Sequence, residues 1–114
     1  MAMALRYRNA VADAGAALIT YVGLVDARGI ELDGPGYRRQ AVTWRRAVDG
    51  AARPTEDLRF DIPAGSVVAG WRGYDAPMGG SAICDQAVAE ERFNGVGVYT
   101  LLADGTGVVV DEEA

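Results

Sequence analysis

Glycine and proline break this 114-residue chain about every 8–12 residues. That spacing most constrains what it can become. Between the breaks lie short runs rich in Val, Ile, Tyr and Trp, the residues that suit a pleated surface. Leu18–Val25 reads as the first strand, with both faces apolar and so both faces covered. Further strands are expected over 37–44, 58–62, 66–74, 81–87, 96–102 and 108–110. Leu58-Arg59-Phe60-Asp61-Ile62 alternates cleanly, turning Leu58, Phe60 and Ile62 inward. Pro63-Ala64-Gly65 is a turn, and Asp104-Gly105 signals a hairpin. The segments 26–36 and 45–56 read as loops. One helix is expected over the Ala-rich residues 3–14, stopped by Gly15, so that 1–15 forms a helical N-terminal segment. The architecture implied is all-β: an antiparallel, jelly-roll-like β-sandwich of seven or eight strands with a short N-terminal helix. It forms one domain over 1–114, and 111–114 is an acidic tail.

Half the residues are apolar, enough for a core, and the net charge is −5. That charge disfavours nucleic-acid binding through a basic face. No membrane partner is expected, because the longest apolar stretch, 14–25, is interrupted by Gly15, Thr20 and Gly23 and is too short to span a bilayer. The start carries no signal-peptide pattern. All eleven basic residues are Arg. Codon bias of a GC-rich genome accounts for that, and Arg also suits protein interfaces because its planar fork pairs carboxylates.

Chemistry has little to work with. His is absent, so Ser/His/Asp and Cys/His arrangements cannot form. Cys84 is the only cysteine. It reads as a small buried hydrophobe whose thiol pKa is raised beside Asp85, and one Cys without His does not hold zinc. Glu90-Glu91 read as a solvated turn, and Asp26, Asp33 and Asp75 match no calcium-loop spacing. No catalytic, metal or cofactor residue is assigned, and the chain is not expected to be an enzyme. Trp44 and Trp71, with Tyr37, Tyr74 and Tyr99, read as core or interface anchors ahead of a carbohydrate platform. Arg38-Arg39 and Arg45-Arg46 bracket one strand. They form either a solvated face or a surface for docking onto an acidic partner, including the acidic tail of a neighbouring copy.

Two runs carry a resemblance. The first is Gly34-Pro35-Gly36-Tyr37-Arg38-Arg39-Gln40-Ala41-Val42-Thr43-Trp44, and the second is Phe60-Asp61-Ile62-Pro63-Ala64-Gly65-Ser66-Val67, followed by Gly79-Gly80. Over residues 18–86 this order resembles a family of small bacteriophage virion proteins, described as tail-fibre-like, minor tail or head-decoration proteins. Their pattern is a Gly-rich turn, Tyr-x-Arg-x-x-Val-x-Trp, then Phe-x-x-Pro-Ala-Gly-Ser/Thr-Val. The segments 26–32 and 70–74 follow it only loosely. The resemblance implies a structural protein on the outer surface of a virion, made in the host cytoplasm, with no catalytic residues and no cofactor. Its partners would be the major capsid protein or tail proteins, and other copies of itself, as a trimer. A head-decoration role is favoured because the chain has no long repetitive shaft. The alternative is a minor tail or fibre-associated protein, with a host-surface or carbohydrate-binding role.

Overall fold

A computed structural model describes residues 4–109. The elements run α1 (Leu5–Ala17), β1 (Tyr21–Val25), β2 (Gln40–Ala41), β3 (Ala51–Ala52), β4 (Leu58–Ile62), β5 (Val67–Tyr74), β6 (Ala82–Arg92), β7 (Gly97–Leu101), a 3₁₀ turn (Ala103–Gly105) and β8 (Val108–Val109). The fold is β-rich, its strand pairs all antiparallel, with one short α-helix. One four-stranded sheet has the order β2-β1-β5-β6, and β4-β7 and β3-β8 form two smaller ladders.

The core follows from strand alternation. Leu58, Phe60 and Ile62 point inward from β4 as expected, while Arg59 and Asp61 are exposed. They join Val22 and Leu24 of β1, Val68 and Trp71 of β5, and Leu101 of β7 in one cluster. β1 is buried at every position but its first, in keeping with an apolar run covered on both faces. A second, smaller cluster sits under α1, where Ala12 and Ala16 pack on Ala47 and Ala52. Gly73 lets Ile19 lie against β5, since a Cβ there would come within 2.9 Å of its side chain.

Several boundaries differ from expectation, each for a physical reason. The helix does not stop at Gly15 but continues to Ala17. Gly15 does not take up the left-handed conformation of a stop signal but stays helical, facing Val108 of β8. The expected strand 37–44 pairs with β1 only at Gln40–Ala41, because residues 31–32 take the edge of β1 beyond Val22, and Trp44 bridges to Pro54 instead. The loop 45–56 contains a hairpin turn at Asp49-Gly50, both at positive φ (52° and 78°), which brings Val48 to Ala51. Asp104-Gly105 is instead part of the 3₁₀ turn, and β8 after it pairs with β3 rather than returning along β7. Glu90-Glu91 lie not in a turn but on β6, which extends to Arg92. The acidic tail 111–114 lies outside the described residues.

Candidate functional site

Arg39 is the centre of the densest polar network. Its Nε donates to Glu31 Oε2 and its Nη2 to Glu31 Oε1, each at 2.9 Å, a bidentate fork-to-carboxylate pair. The remaining nitrogen, Nη1, donates to the carbonyls of Ala76 and Gly79, both at 2.9 Å. The guanidinium lies 3.3 Å from the centre of the Tyr74 ring. Tyr37 closes the circuit by donating its hydroxyl to Glu31 Oε2 at 2.7 Å and accepting the Leu24 N–H at 3.0 Å. Gly23 makes the space: a Cβ there would stand 2.5 Å from Glu31 Oε2 and 2.8 Å from the Tyr37 oxygen.

Charge in the network is fixed by its partners. Burial works to raise the Glu31 pKa, but the hydrogen bonds from Arg39 and Tyr37 outweigh it and hold the carboxyl below its ordinary value. The Tyr37 hydroxyl is pushed far above the usual phenol range, first by burial and then by the Glu31 charge. Arg39 is therefore a cross-brace. It ties loop 26–36 to the β5–β6 turn, and its side chain is only 9% exposed.

The four arginines singled out from the sequence thus separate. Arg39 faces inward, and Arg38 is exposed beside it. Arg45 and Arg46 are both exposed. Arg45 donates to the Pro54 carbonyl at 3.1 Å and pairs with the exposed Asp104 at 3.1 Å. The two form a ridge between two shallow grooves. One, of about 330 Å³, is lined by Val48, Ala51, Arg53, Asp104 and Val109; the other, of about 450 Å³, by Asp13, Ala16, Ala17, Thr43 and Trp44. Arg53, which sequence reasoning left aside, joins the first groove while its Nη1 reaches the Thr106 carbonyl at 3.4 Å. The ridge can offer guanidinium forks to carboxylates.

The aromatic residues are buried to different degrees. Trp71 is 2% exposed and belongs to the core. Trp44 is half-buried and donates its indole N–H to the Ile19 carbonyl at 2.9 Å. Cys84 is half-buried at the rim of the core, and burial first, then Asp85, pushes its thiol pKa up. A further groove, about 460 Å³, is lined by residues of both charge signs, among them Asp26, Arg28, Asp33, Glu90 and Arg92. Asp26 is committed there, accepting the Arg28 and Ile30 amides and pairing with the Arg28 side chain. Among the described residues no three His, Cys, Asp or Glu side chains gather as a metal-binding group, and no helix is long and apolar enough to cross a membrane.

Compared with known proteins, the chain matches no family model, no curated protein and no solved structure.

Proposed function

We propose that this chain is a bacteriophage virion structural protein, a decoration protein that binds and stabilises the assembled head. Its fold is read as a β-sandwich, with the β4-β7 ladder closing over the four-stranded sheet through Phe60 and Trp71. The observation that carries the reading is how the residues of the virion-protein pattern are used. Tyr37 and Arg39 brace Glu31, Arg39 holds the carbonyl of Gly79, Val42 is in the core, and Trp44 bonds to the chain entering β1. Residues that carry the resemblance therefore form one connected scaffold, which supports a pattern selected for architecture over chemistry.

On that scaffold the Arg45–Arg46 ridge is the docking surface, suited to carboxylates on the head lattice. Binding only the assembled lattice stabilises it by linkage. A sugar platform on Trp71 has no exposed ring face to offer, which weighs against a carbohydrate-binding role for that residue. Quantitative mass spectrometry of purified virions carrying this protein tests the reading. Copy numbers comparable to the major capsid protein are expected. A handful of copies would move the protein to the tail, and absence from the particle would sink the virion reading altogether.

A further inference from the structure

The amphipathicity of α1 is inverted. Two of its polar residues face the body of the protein: Asn9 Oδ1 accepts the Gly50 N–H at 2.7 Å, and Asp13 Oδ1 accepts the Ala47 N–H at 2.8 Å. Ala12 and Ala16 fill the rest of that face. The opposite side carries an apolar stripe in solvent: Tyr7 (59% exposed), Val11 (37%), Ala14 and Leu18 (59%). A helix on a globular surface ordinarily turns this pattern the other way. Large apolar side chains grouped on one exposed face mark an interaction surface.

The spacing of the stripe fits a second copy laid antiparallel, and the charges of the helix favour that occupant. Positions 7, 11, 14 and 18 read the same in either direction. A two-fold axis across the helix sets Tyr7 against Leu18 of a second copy at the ends, and Val11 against the small Ala14 at the centre. Small side chains at 14 allow the two helices to approach closely. Charge agrees with this arrangement. The first turn of α1 has no acidic residue and carries Arg6, while the last turn has no basic residue. That is the unfavourable way round for the helix dipole. An antiparallel second copy brings Arg6 of each chain to the C-terminal turn of the other, where a cation is favourable.

We infer that α1 is a self-association surface, through which two copies of this chain pair as antiparallel helices about a two-fold axis. The inference stands independently of the virion reading. It gives two-fold pairing in place of the three-fold assembly implied by the resemblance.

Sedimentation equilibrium of the full chain, from about 1 µM to about 1 mM, tests it. The expected species has twice the 12.0 kDa chain mass. Val11→Glu and, separately, Ala14→Arg are each expected to raise the dissociation constant at least about tenfold. Mixing those two variants is expected to restore a dimer, because the new acid on one chain meets the new base on the other. Met78→Glu, at the far β5–β6 turn, is expected to change nothing. Thermal melts check that each variant folds, and Leu18→Glu replaces any variant that does not. A monomer at every concentration overturns the proposal, as does a three-subunit mass or a dimer indifferent to the helix substitutions. A monomer that co-sediments with phosphatidylcholine vesicles overturns it too, in favour of a lipid-facing helix.

Discussion

Glu31 shows how one residue can be worth more than its local surroundings suggest. It neutralises Arg39, whose side chain is almost wholly buried, and it orients the Tyr37 hydroxyl that caps the Leu24 amide. Replacing Glu31 with Gln leaves the Arg39 charge without its counter-ion, and a loss of about 2 kcal/mol is expected from charge-assisted hydrogen bonds of this kind. The sign of the pH dependence follows from the lowered carboxyl pKa. A group held below its unfolded value contributes fully above that value and loses its contribution as pH falls through the folded one. Urea unfolding at a series of pH values should therefore show wild-type stability declining from about pH 5 downward, with a shallower decline in Glu31→Gln. Parallel curves for the two proteins would remove Glu31 from the acid response.

Among the elements, α1 depends on its contacts more than on itself. It begins at Ala4 without a side-chain cap, and most of what it buries is Ala, which contributes little area. Its attachment rests on Asn9 and Asp13, which satisfy two amides of the 47–50 turn. Asp13→Ala is expected to destabilise the protein by about 1 kcal/mol and to raise amide hydrogen exchange at Ala47 first. Unchanged exchange there would show that the turn holds without the helix.

The same elements show what a sequence can and cannot disclose. The strand at 58–62 was legible because its inward and outward residues alternate locally. So was 67–74, bounded by a turn on each side. The shortening of the 37–44 strand is not legible, because the residues 31–32 that take the edge of β1 lie in another segment. Three Asp-Gly pairs, at 33–34, 49–50 and 104–105, carry the same local signal, yet only Asp49-Gly50 makes a tight hairpin turn; the difference is which segments meet across it, a tertiary property. The Arg45–Arg46 ridge could be read as exposed arginine, whereas the alliance with Arg53 and Asp104 needed the fold.

At the scale of the whole molecule the shape is elongated, 46 × 24 × 22 Å, with a Cα radius of gyration of 14.6 Å. A compact chain of this length would come to about 13 Å. Solution X-ray scattering from Val11→Glu, kept monomeric, is expected to give about 15 Å or slightly more once hydration is included. A value near 13 Å would mean a more compact molecule in solution.

The Arg39 brace also has a mechanical meaning. The turn that joins β5 to β6 spans 75–81, and Arg39 grips two of its carbonyls while forked onto Glu31. A hairpin pulled at its turn ordinarily peels one rung at a time. Here the load enters the guanidinium first and passes sideways into the 31–39 segment and β1. Tension at that turn is thus shared across the sheet, and the segment between β1 and β2 serves as a tether for a hairpin it does not pair with.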